Sequence, residues 1–341
     1  MSLPPAPTHP GLVVIVNPAA GRGRARRLLP VLQRTLDRVL GGQRPYALQL
    51  TTGPGEERIL ARAAAEAGAE TILALGGDGT WGNVARGILA SGRSTRLALL
   101  AAGTGNDLAY AAALPVHDVG AAVAIACGDG ERRIDAGEAD GLHFVNCLGF
   151  GFDAEVVGAT RQVRWLRGHA VYLLTAARML VGYRGFAATL TLGGGASTPA
   201  IDGGPAATRE SRHLLIAVAN GPRFGGGFLI APGASIDDGT LDVVRIADGG
   251  AWRRLALFGM ARSGTHVDAP EVSRQRAQAL TLVFPAPPLI QADGELHHAQ
   301  DRSVTVRCLP GALRLAVPSQ ADASRSPRKP TRRGHALEPG A

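Results

Sequence analysis

The chain has 341 residues, 45% of them apolar and 19% charged, which supports a sizeable core in two domains or one large one and excludes a wholly disordered chain. Its formal net charge of +8 favours an anionic partner, such as a nucleotide, a nucleic acid or an acidic membrane surface. Of the 36 basic residues only Lys329, in the tail, is a lysine, which excludes a Walker A loop, a protein kinase and a pyridoxal-dependent enzyme, because each needs a lysine in its folded region.

Up to about residue 130, short apolar runs alternate with segments whose apolar residues recur at helical spacing. The runs predict buried strands and the spacing predicts helices. Strands are predicted at 12–16, 46–50, 71–75 and 97–101, and helices at 24–40, 56–67 and 81–89, with one more helix after the last strand. This alternation is typical of an open, parallel, doubly wound sheet.

From about residue 131 the pattern is mostly strands separated by loops rich in glycine and proline. Strands are predicted at 131–138, 142–148, 187–192, 213–219, 241–246, 279–284, 303–308 and 312–317, and helical stretches near 153–160 and 165–182. Such a pattern favours an antiparallel, β-sandwich-like domain. The predicted parts are a flexible N-terminus (1–10), an α/β domain (11–130), a β-rich domain (131–317) whose last strand can pack back on the α/β domain, and a disordered basic tail (318–341).

Four glycine-containing turns carry polar side chains. They are Asn17–Gly21, Gly76–Thr80, Gly103–Asp107 and Asp293–Glu295. The first three follow parallel strands, so they should converge on one crevice at the carboxyl ends of the sheet. Small residues there let backbone N–H groups approach a phosphate. Asp78 would be costly beside a triphosphate unless it meets a metal ion or a transferring proton.

These turns, read as NPxxG, GGDGT, GTGND and DGE, together resemble the diacylglycerol kinase catalytic superfamily, which includes bacterial diacylglycerol kinases and sphingosine kinases. The resemblance runs from about Gly11 to about Val317. It implies an ATP- and Mg²⁺-dependent kinase that transfers the γ-phosphate to a lipid hydroxyl, with diacylglycerol as the default acceptor. It also implies an ATP-binding first domain and a lipid-accepting second domain.

The resemblance implies a role for each matching residue. Nucleotide contacts fall on Asn17, Gly21, Thr51, Gly77, Asp78, Gly79, Thr80, Thr104 and Asn106, and Asp78 also faces the catalytic magnesium. Asp293 and Glu295 match the catalytic DGE, in which a carboxylate accepts the proton of the lipid hydroxyl. Two residues apart on an extended strand, they would point the same way, and which one is the base is left open.

The chain departs from the family pattern at two places that bear on magnesium binding. The family follows GGDGT with Asn and Glu, where this chain has Gly82 and Asn83. The segment PGASIDDGTLDV matches the family's structural magnesium site, with Asp238 and the carbonyl of Thr240 as ligands. The third ligand falls on Ser235, a weaker oxygen donor, which puts that site in doubt.

Two alternatives remain beside the lipid kinase. An NAD kinase shares the GGDGT turn, and a catalytically inactive lipid- or nucleotide-binding protein would explain Asn83 and Ser235. Nucleic-acid binding is not expected, because aromatic residues make up only 4% and no recognition motif is present.

The remaining signals concern location. The basic, Trp-containing segment from Arg161 to His169 beside an apolar helix predicts contact with an anionic membrane surface, an ordinary half-buried helix being the alternative. Three scattered cysteines and no visible signal peptide or transmembrane run predict a cytoplasmic protein, peripheral at the inner membrane surface, with Cys147 and Cys308 in the core. A homodimer is left open.

Overall fold

The first part of the chain forms a parallel sheet with helices on both faces. The computed structural model describes residues 11–41, 45–162, 178–193 and 211–319. Strands β1 (Leu12–Val16), β2 (Tyr46–Leu50), β3 (Thr71–Gly76) and β4 (Arg96–Ala101) are parallel in the order β2-β1-β3-β4. The chain leaves β1 towards β2 on one side while β3 lies on the other, and a ligand crevice is expected at this switch point.

The helices cover this sheet because alternate side chains of each strand point to opposite faces. Helices α1 (Ala20–Leu40) and α5 (Val119–Cys127) pack on the face that carries Val14. Helices α2 (Glu56–Glu66) and α3 (Asp78–Ser91) pack on the face that carries Val13 and Ile15. The short helix α4 (Asp107–Ala111) follows β4. The predicted doubly wound α/β architecture is confirmed.

The second part is antiparallel and sandwich-like. Its strands are β5 (Glu131–Ala139), β6 (Leu142–Phe144), β7 (Cys147–Gly151), β8 (Phe186–Gly193), β9 (Ser211–Ala219), β10 (Leu241–Ala247), β11 (Val272–Ala277), β12 (Ala279–Val283), β13 (Leu289–Ala292), β14 (Glu295–His298) and β15 (Ser303–Ala316). A core that includes Leu148, Phe150, Val218 and Leu282 fills its interior. Helices α6 (Phe152–Gln162) and α7 (Ala251–Ala261) contribute to a second apolar cluster with β7 and β9.

Strand β15 joins the two parts. It pairs antiparallel with β12 and β5, and its last residues then pair parallel with β4, with Arg314 opposite Arg96. The prediction of two strands at 303–308 and 312–317 was wrong, because one 14-residue strand continues through a register shift between Leu309 and Leu313. Conversely, the strand predicted at 142–148 is divided between β6 and β7.

Some predictions fall outside the described residues. The N-terminus at 1–10, the tail beyond residue 319 and nearly all of the membrane-contact segment from Arg161 to His169 are among them. Of the helix predicted at 165–182, residues 178–182 are described and are helical. Cys147 and Cys308 are buried, as predicted. Within the described ranges, no helix combines the length and the apolar character needed to cross a bilayer.

Candidate functional site

The three glycine turns meet at the carboxyl ends of the parallel strands. Gly21 has a φ of +58°, and a Cβ there would lie 1.8 Å from the carbonyl oxygen of Ala102. A Cβ on Gly103 would lie 2.6 Å from the Cα atom of Gly77. Because the backbones approach this closely, glycine is required at these positions. The predicted convergence on one crevice is confirmed.

The first crevice, which we call the nucleotide crevice, has a volume of about 310 Å³. Its lining includes Asn17, Gly21, Gly77, Asp78, Gly79 and Thr80, all singled out from the sequence, together with Glu57, Asn83 and Glu295. Helix α3 begins here after Gly77, with no side chain capping its first turn. Its free N–H groups and dipole make this end of the crevice suited to phosphate.

Asn17 connects two elements of the nucleotide crevice. Its Nδ2 atom donates to Glu57 Oε1 at 2.8 Å and to Thr80 Oγ1 at 3.2 Å. Glu57 is 3% exposed, and burial raises the pKa of its carboxyl. Its Oε2 atom has no hydrogen-bond partner among the described residues. Glu57 was missed from the sequence, because a glutamate in the first turn of a helix looks like an ordinary dipole contact.

Asp78 is held by the GTGND turn. Its carboxylate accepts N–H groups from Asn106 at 2.7 Å and from Leu108 at 3.4 Å. Burial, followed by the nearby charge of Asp107, raises the pKa of Asp78 to about 6. The aspartate therefore does more than close its own turn: it ties the ends of β3 and β4 together.

The other predicted nucleotide contacts, Thr51, Thr104 and Asn106, differ in exposure and in their hydrogen bonds. Thr51, at the end of β2, is buried, and its N–H donates to the carbonyl of Val16. Thr104 is exposed beside Gly103. Asn106 is buried at a φ of +54°, and its Nδ2 atom donates to the carbonyl of Gly103. Its contacts brace the turn.

A second crevice of about 400 Å³, here called the acceptor crevice, adjoins the first. Both are lined by Asp78 and Gly79. The far wall of the acceptor crevice includes the loop at 224–226, whose Gly226 N–H donates to Asp107 Oδ2 at 2.9 Å. The cation–π contact of Arg223 over Tyr110, 4.8 Å from the ring centroid, also joins this loop to α4.

Asp293 and Glu295 do not point the same way, so that prediction was wrong. Asp293 has a φ of +46° and forms, with Gly294, the two-residue turn between β13 and β14. The Asp293 carboxylate turns inwards and accepts three backbone N–H groups at 2.8–3.0 Å, from Val145, Asn146 and Cys147. The turn spans both crevices, because Asp293 and Gly294 line the acceptor crevice and Glu295 the nucleotide crevice.

Glu295 is held by two residues of α3. Asn83 donates to its Oε1 at 2.8 Å, and Arg86 Nη1 donates to its Oε2 at 3.0 Å. Arg86, buried on α3, also lies 3.7 Å from Asp293. The departure at position 83 therefore has a structural use, since a glutamate there would place a second carboxylate beside Glu295. Gly82 likewise lets α3 approach, because a Cβ there would lie 3.1 Å from that of Asp293.

Arg86 was missed from the sequence. A lone arginine in a helix gives no signal of a partner more than 200 residues away. Here its guanidinium also donates to the carbonyl oxygens of His143 and Ala292, both at 2.8 Å. It thus fixes the DGE turn against the parallel-sheet part of the chain.

The predicted structural magnesium segment is arranged differently from a shared metal site. Ser235 donates to Asp237, not to Asp238, at 2.7 Å. The Asp238 carboxylate accepts the N–H and hydroxyl of Thr240. Asp237 pairs with Arg132. Across the described ranges no cluster of three acidic, His or Cys side chains could hold a metal. The donor set does not fit a structural magnesium ion, and we derive no role for one.

A larger cavity of about 970 Å³ lies at the opposite end of the parallel strands, beside Gly11, Arg96 and Arg314. Open parallel sheets bind ligands at the carboxyl ends of their strands, which is the end with the glycine turns. We therefore place the functional site at the two adjoining crevices.

Comparison with known proteins agrees with this geometry. The family model for the diacylglycerol kinase catalytic domain matches residues 11–139, and the model for the YegS C-terminal NAD kinase beta sandwich-like domain matches residues 146–317. A "Probable lipid kinase YegS-like" protein of Pseudomonas aeruginosa is 30% identical over 298 residues, covering 83% of this chain and 88% of its own. One of Chromohalobacter salexigens is 29% identical over 301 residues, covering 85% and 89%.

Solved structures share the fold. A diacylglycerol kinase from Bacillus anthracis matches with a TM-score of 0.64 at 18% identity, covering 90% of this chain and 96% of that one. The match extends over both the parallel sheet and the antiparallel part.

Proposed function

The chain belongs to the diacylglycerol kinase catalytic superfamily, whose enzymes are phosphotransferases with an alcohol acceptor, and on this premise we propose that it is an ATP- and Mg²⁺-dependent lipid kinase. The γ-phosphate of ATP passes to a lipid hydroxyl, with diacylglycerol as the default acceptor and phosphatidic acid as its product. The protein would meet its substrate at an anionic membrane surface.

One observation carries the proposal: two crevices of different character join at Asp78 and Gly79. One ends in glycine turns and a helix N-terminus, which suit the phosphates of a nucleotide. The other is lined by the Phe224 loop, Val145 and Val157 as well as by carboxylates, which suits an amphipathic acceptor. Phosphoryl transfer requires that acceptor hydroxyl and γ-phosphate meet in line, and the junction provides that place.

We propose that a magnesium ion enters the nucleotide crevice with ATP, held by phosphates and one or two carboxylates, since the described residues form no three-residue metal cluster. Three carboxyl groups line the crevice in which we place the triphosphate, those of Asp78, Glu57 and Glu295. Glu57 Oε2 has no hydrogen-bond partner within the described part of the chain. Magnesium is usually bound by one or two carboxylates together with substrate phosphates. We assign its protein ligands to Asp78 and Glu57. When bound, the ion would neutralise charge on the phosphates.

Glu295 is the better candidate for the proton acceptor. The Asp293 side chain is 2% exposed and its oxygens accept three backbone N–H groups, whereas the Glu295 side chain is 30% exposed. We propose that Asp293 positions the turn and that Glu295 accepts the hydroxyl proton. The lipid oxygen then bonds to the γ-phosphorus as the bond to the β,γ-bridging oxygen breaks, which releases ADP.

The proposal is tested with purified full-length protein, Mg²⁺ and ATP labelled in the γ-phosphate, offered an extracted lipid mixture and, separately, NAD⁺. Glu295→Gln keeps the side-chain volume and one acceptor oxygen for Asn83 or Arg86 but cannot take a proton, so kcat should fall by about 10²–10⁴-fold. Glu66→Gln, on an exposed face of α2, is the matched control and should retain wild-type activity.

Label in one chloroform-soluble product that depends on Glu295 supports the lipid kinase. Label in NADP⁺ instead would replace it with an NAD kinase. A folded protein that labels neither acceptor, yet is stabilised by ATP, would indicate an inactive nucleotide-binding protein.

A further inference from the structure

Gln291, on β13, is a buried amide for which the described part of the chain supplies no hydrogen-bond partner. It is 0% exposed, and neither Oε1 nor Nε2 has a hydrogen-bond partner among the residues that the structure describes. It lines the acceptor crevice. Nearly all buried side-chain amides are paired, because burying an unpaired one costs folding free energy. A carboxamide on a substrate crevice that is unpaired within the described ranges therefore points to a ligand.

A second unpaired group lies beside it. Gln291 is directly opposite Gly149 in the antiparallel pair of β13 and β7, so their side-chain positions are neighbours on one face of the sheet. A Cβ on Gly149 would lie 1.6 Å from Asp153 Oδ2, which shows that the Asp153 carboxylate covers this glycine. Glycine at position 149 thus makes room for a carboxylate next to Gln291.

The Asp153 carboxylate has the same unusual status as the Gln291 amide. It is 4% exposed, and in the described ranges neither of its oxygens has a hydrogen-bond partner. Burial raises its pKa to about 7, and the N–H groups of Asp153 and Ala154, which lie near the carboxylate without forming hydrogen bonds of ordinary geometry, lower the pKa in part. A carboxylate that is buried and unpaired accepts strongly from any O–H or N–H group that reaches it.

Asp153 is also one wall of an apolar cavity of about 60 Å³ between α6, α7 and β9. Its other walls include Phe152, Leu215, Phe228, Leu257 and Phe258. Phe224 lines both this cavity and the acceptor crevice, so the two meet at that ring. The cavity accommodates only a few methylene groups, but Gly225, Gly226 and Gly227 follow Phe224 with φ of +65°, +84° and +114°, a backbone that can rearrange.

We propose that Gln291 and Asp153 form a polar subsite that binds a second polar group of the acceptor lipid, beside the hydroxyl that is phosphorylated, and that the attached chain enters the apolar cavity past Phe224. The inference rests on the proposed lipid kinase function and narrows its substrate. When ionised, Asp153 needs a donor, and Gln291 can both donate and accept, so the ionised site selects a hydroxyl or an amide N–H as the second group. An ester carbonyl, which only accepts, satisfies Gln291 alone.

The test compares lipids that differ in this group. Full-length protein is assayed with Mg²⁺-ATP and detergent micelles that contain monooleoylglycerol, dioleoylglycerol, an N-oleoyl amide of an amino alcohol, or oleyl alcohol, which has a chain and one hydroxyl only. The variants are Gln291→Met, which keeps the volume and removes the amide, and Asp153→Asn. Gln49→Met is the matched control, because Gln49 Oε1 is also buried without a partner among the described residues, far away on β2.

We expect the wild type to prefer monooleoylglycerol and the N-oleoyl amide over oleyl alcohol by about 10- to 100-fold in kcat/KM, the value of one or two buried hydrogen bonds. Dioleoylglycerol should fall between them, because its ester carbonyl satisfies Gln291 but not Asp153. Gln291→Met should abolish most of this preference and leave the KM for ATP unchanged. Its melting temperature should equal or exceed that of the wild type, since an unpaired amide is removed. Asp153→Asn should lower kcat/KM for the same lipids, and Gln49→Met should keep the preference.

A wild type that uses all four lipids equally overturns the inference and leaves the lipid kinase standing. Equal loss for every lipid in both Gln291→Met and Asp153→Asn also overturns it, because a merely structural role lowers all activities together. If Gln291→Met fails to fold, the lipid preference of Asp153→Asn decides alone. A folded wild type that phosphorylates no lipid refutes the proposed function itself.

Discussion

Replacing Arg86 by methionine should destabilise the protein more than replacing any exposed arginine, because Arg86 links the two parts of the molecule beside the nucleotide and acceptor crevices. Its side chain is 3% exposed and lies 3.0 Å from Glu295 and 3.7 Å from Asp293. It also donates to the carbonyl oxygens of His143 and Ala292. Methionine has a similar length but leaves two carboxylates and two carbonyls without this cation.

Breaking a buried ion pair from one side costs about 3–5 kcal/mol, since the remaining charge is uncompensated. At about 2.1 cal/mol/K of unfolding entropy per residue, a chain of this size loses roughly 1.4 °C per kcal/mol, so Tm should fall by about 4–7 °C. Activity should fall as well, because Glu295 loses one of the two side chains, Asn83 and Arg86, that donate hydrogen bonds to it. Differential scanning calorimetry and the lipid-phosphorylation assay measure the two effects.

Arg62→Met is the matched control. Arg62 pairs with Glu66 one helical turn away, but their side chains are 58% and 47% exposed, so the loss should stay below about 0.5 kcal/mol. The double variant Arg86→Met/Glu295→Gln should lose less stability than the two single variants together, because removing both charges leaves one fewer unpaired group. A Tm for Arg86→Met within 1 °C of the wild type would refute this account of the linkage.

Three further predictions concern single residues. Gly21→Ala should abolish the ATP-induced rise in Tm, whereas Gly41→Ala, with a similar φ of +59° but no atom within 4 Å of the new Cβ, should keep it at a cost of about 1–2 kcal/mol; equal behaviour would contradict the steric argument. Burial raises the pKa of Asp153 to about 7 in the folded protein, from an ordinary 3.8. The folded state therefore binds a proton more tightly than the unfolded state, and wild-type stability declines as pH rises from about 4 to about 7. In urea unfolding, the stability of Asp153→Asn relative to the wild type should thus be roughly 2–3 kcal/mol greater at pH 8 than at pH 5, and a pH-independent difference would count against it. Asp107→Ala removes the acceptor of the Gly226 N–H, so hydrogen exchange in the loop at 224–228 should accelerate and the KM for lipid should rise by about tenfold while ATP binding persists; unchanged exchange would show that the contact does not hold the loop.

Local patterns predicted much of the fold. The strand at 46–50 appears as expected, and residues 24–40 are helical as predicted, after positive-φ residues at Gly21, Arg22 and Gly23 near the start of α1. Apolar runs and glycines act within a few residues of chain, so the sequence indicates them directly. The convergence of the glycine turns also followed, since parallel strands share one carboxyl edge.

Long-range partners could not be predicted. Nothing near Arg86 indicates that it meets Glu295, 209 residues later. The Asp293 side chain turns inwards because Asp293 and Gly294 form the whole turn, whereas its predicted direction assumed the geometry of an extended strand. Gln291 and Asp153 attracted no notice, since an amide in a strand and an acid at the start of a helix are ordinary until their burial is known.

The return of β15 to β4 sets an order for biosynthesis. While the chain emerges from the ribosome, the edge of the parallel sheet at β4 (Arg96–Ala101) lacks its pairing partners in β15 until Arg314 and Leu315 have been synthesised. At about 5–20 residues per second, that delay of some 210 residues lasts roughly 10–40 s. An unpaired apolar edge can recruit foreign strands during this time. The nascent protein therefore has a period in which chaperones compete with aggregation, and the first domain reaches its final sheet only after Leu315 has been synthesised.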